Sequence, residues 1–346
     1  MTNSEDIPTL HSAFRFRIGS SADLPYCVPL LPPGFRADDT IRKKLVSVWT
    51  RLLASEAKTF CIVEDLKQDY PRGIEGFGLS VFVSDNFAAE VCASPKPYLA
   101  AQFYKLILAG EDDVLLAPER IAEANSTTGI NVLVLHFGLR NHDLSDMRTA
   151  HALMAGSAGF FFFHSGYRIK MLINETYGPQ SLDYMERGGF RLANDFHRES
   201  APAFDSVPPE HHPYLFLLRR EWVQPGAVNP LSQLFYPATP QLFFSAAERR
   251  VLERALLNES DAQIANNLAI SIDRYKKTWR NVFARVNRVA PYLIPAAELE
   301  PSGARGQEKR RHLLDYLRTH LEELRPAAHS APSQDARHPQ DNSLSA

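Results

Sequence analysis

Cysteine is scarce in this 346-residue chain. There are three, Cys27, Cys61 and Cys92, an odd number without metal-ligand spacing. That excludes a disulfide framework and a thiolate metal cage, and it fits a reducing, cytoplasmic setting. No apolar run approaches the roughly 20 residues of a membrane span, so no membrane partner is expected. The opening MTNSEDIPTLHSAF lacks a basic n-region and an apolar h-region and does not read as a signal peptide. Internal repeats are missing too, and charge of either sign barely predominates, at net −2. With 45% hydrophobic and 23% charged residues, the composition is that of an ordinary globular protein. The length sets a prior of two domains, or three.

What is present concentrates near the C-terminus, in 244–286. Ser245 and Glu248 have the S-x-x-E spacing of a capping box, in which the hydroxyl takes an orphan amide and the carboxylate reaches back. Val251, Leu252, Ala255 and Leu256 follow at helical spacing. Asn258 stands where that helix must stop, because Asn tolerates the left-handed conformation of a C-terminus. Ser260 and Gln263 repeat the capping box before a second helix with Ile264, Ala265 and Leu268 facing inward. Ser271 can cap a third, whose Tyr275, Trp279, Val282, Phe283 and Val286 form a core stripe. Lys276, Lys277, Arg280 and Asn281 then lie on its flanks or opposite face. Between 240 and 290, nine Lys/Arg stand against five Asp/Glu, a net of +4 within a chain of net −2. A local positive excess is what attraction to phosphates needs.

This run resembles the C-terminal DNA-binding domain of the LuxR family of bacterial transcription regulators. The resemblance rests on Phe244, Ser245, Glu248, Arg249, Val251, Leu252, Ile264, Ala265, Leu268, Ile270, Ser271 and Lys276 and covers about an eighth of the chain. It implies an all-α helix-turn-helix that binds double-stranded DNA in the major groove. Lys276, Lys277 and Arg280 would reach base edges and phosphates and Arg274 a phosphate, with Asn281, Ser260 and Ser271 beside them. The chain departs from the pattern at Asn258, Glu259, Tyr275 and Trp279. Pro291 and Pro295 displace the family's fourth helix, which leaves homodimer formation open.

The rest divides into a mixed domain over 1–223, a proline-rich linker over 224–240, the helix-turn-helix over 241–290, a C-terminal extension over 291–325 and a disordered tail over 326–346. Within the linker, Leu234, Phe235 and Tyr236 can dock on a domain. In the extension, 307–324 reads as one packing helix with Leu313, Leu314, Leu317, Leu321 and Leu324 inward. In the first domain, 59–64, 76–84 and 130–137 read as strands. Helices are expected over 45–53, 102–109, 119–124, 148–158, 170–176 and 182–186, with 189–192 and 214–219 pairing as a hairpin-like unit. The fold class is thus α+β or α/β, sensor-like, followed by the all-α domain.

The order of elements, and YMERGGFRL at 184–192, is similar to the Gcn5-related N-acetyltransferase fold. That family's glycine-rich R/Q-x-x-G-x-G/A loop, which presents amides to a cofactor pyrophosphate, has no counterpart in the GLRNHDLSDMRTAHALMAGS after 130–137. A PAS- or GAF-like sensor is equally compatible. The GIEGFG of 73–78 leads into a strand rather than a helix, so it is no nucleotide loop. His211 and His212 read as a solvated loop. His164, Tyr167 and Arg168, beside the aromatic 160–163, are the candidates for a ligand pocket. The expectation is a cytoplasmic regulator, not an enzyme and without a cofactor, whose N-terminal domain answers a small-molecule or protein effector. An acetyltransferase-like enzyme and a protein-interaction scaffold are the alternatives.

Overall fold

A computed structural model describes residues 13–143, 145–199, 204–225, 232–294 and 304–328. The disordered-tail expectation falls, beyond residue 328, outside the described residues. Seven strands make one sheet: β1 Phe14–Ile18, β2 Lys58–Asp65, β3 Ile74–Val83, β4 Ile130–Leu139, β5 Ile169–Tyr177, β6 Arg191–Asp195 and β7 Pro213–Arg219. Their order is β1-β2-β3-β4-β5-β7-β6. Every neighbouring pair is antiparallel except β4 and β5, which run parallel. A parallel pair needs a crossover, supplied here by a helix over Met147–His164.

The helices of this region are α1 Asp39–Ala54, α2 Asp85–Ala93, α3 Leu99–Ala109, α4 Pro118–Ser126, α5 Met147–His164 and α6 Gln180–Arg187. Leu45, Val48, Trp49 and Leu52 bury one stripe of α1 in the main core, which also takes Phe103, Tyr104 and Ile107 of α3. The Trp49 indole N–H donates to the Tyr104 hydroxyl at 2.8 Å, so both large side chains are buried with their polar tips satisfied. The opposite face of the sheet is covered by α5, whose Gly156 and Gly159 let Phe137 and Phe16 approach the helix closely.

One expected helix is a strand. Residues 170–176 lie in β5, paired with β4 on one side and β7 on the other. Met171, Leu172 and Ile173 are buried in succession, as a strand covered on both faces requires, and so short an apolar run has no period that separates it from a helix. The hairpin-like unit is present, with Leu192 opposite Phe216. His212 is not solvated: it is buried, and its Nε2 lies 2.8 Å from the Val207 carbonyl.

The helical region holds α7 Ala246–Leu256, α8 Asp261–Asn267, α9 Ile272–Val289 and α10 Ala304–Thr319. Both capping boxes form, at Ser245/Glu248 and Ser260/Gln263. Asn258 adopts φ 60°, and Tyr275, Trp279, Val282 and Val286 are buried. The expected extension helix stops at Thr319, and a separate turn of 3-10 helix spans Leu321–Leu324. Leu313, Leu317 and Leu324 close the core of this region. Leu234 and Phe235 dock on the sheet region.

The two regions are joined at the C-terminal end of α5. Buried Arg325 donates to the carbonyls of Phe162 and Ser165, pairs with Glu253 of α7 at 2.7 Å and lies over the Tyr167 ring. The last carbonyls of a helix have no partner within it, and a cation there also meets the negative end of the helix dipole. Gly166, at φ 86°, sits so close to the backbone of Leu321 and Glu322 that no Cβ fits.

Candidate active site

β4 and β5 pair from Ile130/Ile169 to Val134/Asn174, with one irregularity after Ile130, and there their pairing ends. Both strands continue, β4 beside β3 as far as Leu139 opposite Gly76, and β5 beside β7 as far as Tyr177 opposite Pro213. The cause is a bulge. Ser80 faces Val134 and Leu79 faces His136, so Leu135 is an extra residue in β4. A bulge bends its strand, terminates pairing and re-aims the following side chains. The inner edges therefore part at the carboxyl ends of two parallel strands, the place where α/β sheets bind ligands.

Glu175 and Tyr177 of β5 lie beyond the last β4–β5 pair, with Glu175 against the start of α3. The Leu99 backbone N–H, in the first turn of α3, and the Tyr177 hydroxyl donate to Glu175 Oε1 at 3.0 and 2.9 Å. Glu175 Oε2 is enclosed and has no partner. Burial raises the carboxyl to about 7, against the opposing pull of those donors. The helix N-terminus also favours the anion, so desolvation is the larger effect. The Tyr177 hydroxyl is driven well up by its own burial, then by the neighbouring Glu175. An enclosed carboxyl that titrates near neutrality is suited to accept and return a proton.

His136 of β4 enters the same region but sits in an aromatic box, 4.8 Å from Phe35, 5.7 Å from Trp49 and 5.8 Å from Tyr104 between ring centroids. Neither ring nitrogen has a partner, and burial pushes the imidazole down to about 3. It is neutral and in no position to act as the base. The segment 30–35 covers the wedge: a Cβ on Gly138 would meet the Leu30 carbonyl at 2.2 Å, and one on Gly34 would meet Tyr177 at 2.4 Å.

The N-terminus of α5, which follows β4, is occupied by the chain itself. Asp146 accepts from the amides of Arg148 and Thr149 and from the Thr149 hydroxyl. Asp143 accepts from the Ser145 amide and hydroxyl. The Arg148 guanidinium is bound to Asp65 and Glu75. Those hydrogen bonds hold Asp146 and Asp143 below the usual carboxylate range. Two anions at this helix end do not fit a pyrophosphate, in keeping with the missing glycine-rich loop.

The residues singled out in the sequence lie elsewhere. Arg274, Lys276, Lys277, Arg280 and Asn281 are exposed along α9, and Ser260 and Ser271 cap α8 and α9. His164 ends α5 buried, its Nδ1 2.8 Å from the Phe160 carbonyl and its Nε2 3.2 Å from Thr59. Burial pushes it down to about 4. Tyr167 lies beneath Arg325, and the Arg168 amide donates to Asn125. Of the three, Tyr167 meets the helical region through Arg325, whereas the partners of His164 and of the Arg168 amide lie within the sheet region. Glu175 and Tyr177 share a face only in a strand, so the helical expectation for 170–176 hides their i, i+2 relation.

No family model and no curated protein matches the chain. Solved structures do. The spermidine/spermine N-acetyltransferase SpeG from Vibrio cholerae aligns at 10% identity over 61% of this chain and 96% of its own, with TM-score 0.33. FeeM, an N-acyl amino acid synthase from uncultured soil microbes, aligns at 11% over 60% and 92%, with TM-score 0.33. NAA60 from Arabidopsis thaliana, in complex with acetyl-CoA, aligns at 13% over 60% and 98%, with TM-score 0.34. The first two are named for acyl transfer or acyl-amide synthesis and the third holds acetyl-CoA; none of the three is named as a regulator. The expectation of a DNA-binding transcription regulator, with duplex DNA as partner and no enzymatic activity, is corrected accordingly. The first region is a mixed α/β sheet and the second is helical. Among the described residues no helix is long and apolar enough to cross a membrane.

Proposed function

We propose that the sheet region is an acyltransferase of the Gcn5-related kind, which moves an acyl group from an activated donor to an amine. The observation that carries this reading is the wedge between β4 and β5, with the enclosed Glu175 carboxyl raised to about 7 at its edge. In the step, the amine nitrogen attacks the acyl carbonyl carbon. Glu175 takes the amine's proton, the bond from carbonyl to donor breaks, and the donor leaves with its electron pair. Tyr177 orients the carboxylate through its hydrogen bond. Segment 30–35 must swing aside to admit substrates. For the helical region, the two capping boxes and the left-handed Asn258 support the LuxR-like three-helix fold.

The test is amine-dependent thiol release by the full chain from two acetyl thioesters, acetyl-CoA and the short N-acetylcysteamine thioester. Glu175→Gln is expected to lower the rate about 10²–10⁴-fold. Because α5 offers no diphosphate cradle, the two donors should be used with similar kcat/KM. Absence of amine-dependent release from either donor, with spermidine and free amino acids as acceptors, would sink the proposal.

A further inference from the structure

The sheet is hollowed at the end opposite Glu175, where β4 and β5 begin. Two cavities, of about 500 and 420 Å³, adjoin there and share Asp85 and Asn131 in their walls. The second is the better built. Its floor is a row of three residues in register across three strands: Asn131 of β4 faces Met171 of β5, which faces Arg219 of β7. Two strand spacings separate the ends of that row by about 9.6 Å. Its roof is α2, which presents Ala88, Ala89 and Ala93 and so leaves room above the floor.

Both ends of the row carry an unmet hydrogen-bonding demand. Asn131 is 2% exposed and its Oδ1 has no donor. The amide orientation is fixed, because Nδ2 donates to Asp85 Oδ1 at 2.7 Å and a carboxylate can only accept. At the other end Arg219 Nε is enclosed without an acceptor. A buried polar atom left unpaired is destabilising, so the cavity asks for a guest with a donor at one end and an acceptor at the other. The walls repeat that polarity. Lys170 pairs with Asp85 at 2.9 Å and Arg219 with Glu221 at 3.6 Å, two cations matched by two anions. Such a lining rejects a net charge and welcomes a dipolar ion, and the volume lies in the range of small-ligand sites.

We propose that this cavity binds a free amino acid, with its ammonium on Asn131 Oδ1 and Asp85 and its carboxylate on Arg219 Nε and Lys170. The site is separate from the Glu175 wedge and does not depend on the acyltransferase reading. Cys92 reports on it. This thiol lines the cavity 3.5 Å from the Arg219 guanidinium and is half-buried, whereas Cys27 and Cys61 are buried.

The test is thermal unfolding of the full chain with each protein amino acid in turn. At least one should raise Tm by about 3–6 °C at tenfold excess over its dissociation constant. Its N-acetyl derivative and its decarboxylated amine, each lacking one charge, should give no rise. Arg219→Gln should abolish the shift, and Glu175→Gln should keep it. The same amino acid should slow iodoacetamide labelling of Cys92 in the wild-type chain, a readout that needs no variant. The proposal is overturned if no amino acid changes either Tm or labelling, or if the N-acetyl derivative and the amine act as well as the parent.

Discussion

In the helical region, Ser245 finds its hydrogen-bond partner three residues away, at Glu248. In the sheet region, Met171 finds its strand neighbours at Asn131 and Arg219, 40 and 48 residues away. The first kind of contact forms wherever the local sequence permits it. The second exists only once the chain has brought distant segments together. Buried polar atoms without a partner occur in both regions, at Trp279, Arg285 and Arg310 in the helical one; in the sheet region those of Glu175, Asn131 and Arg219 belong to residues that strand pairing across long sequence separations brings to the wedge and the cavity.

That contrast can be broken most directly at the joint. Arg325→Ala leaves Glu253 and two carbonyls at the end of α5 without their partner. Removing one member of a buried pair costs about 3–5 kcal/mol. Chemical denaturation should show that loss, with the helical region separating from the sheet region as a second transition. A single unchanged transition would mean that apolar contacts, not Arg325, hold the regions together.

A smaller effect concerns pH. Burial raises Glu175 to about 7 from an ordinary value of 4.5, so the folded chain keeps a proton that the unfolded chain releases. Stability therefore falls as pH rises between those values, by about 2–4 kcal/mol, and is level above them. Glu175→Gln should remove this slope and be the more stable form at pH 8. His136 works in the opposite sense: its imidazole is held neutral down to about pH 3 against an ordinary 6.5, so stability also falls as pH drops through that window. Urea midpoints across the pH range measure both limbs. An identical slope in wild type and Glu175→Gln would show that the carboxyl is not desolvated.

The smallest effect lies within the helical region. Ser245→Ala removes the hydroxyl that accepts from the Glu248 amide and should cost about 1 kcal/mol. The change should appear in amide exchange of α7 and leave that of β4 and β5 alone. Equal loss of protection in both regions would show that the two unfold as one unit.

Legibility in the sequence followed the same divide. The caps at Ser245 and Ser260, the stop at Asn258 and the stripe from Tyr275 to Val286 could all be read, because each is a relation among residues within a few turns. Strands β3 and β4 could be read from alternation and from bounding glycines. Strand β5 could not, since its three consecutive buried residues carry no period, and Glu175 was lost with it. The cationic face of α9 was legible as a charge pattern, yet a charge pattern alone did not fix what the chain does.

The sequence by itself determined the three helices of 244–286, their caps and their buried stripe, because those follow from hydrogen bonds and apolar spacing along a local stretch. Only the tertiary structure decided that β4 and β5 lie parallel and part at Leu135, that Glu175 loses its water beside Tyr177, and that Asn131 and Arg219 face one cavity. Those outcomes depend on desolvation and on strand register, and neither exists before distant segments meet.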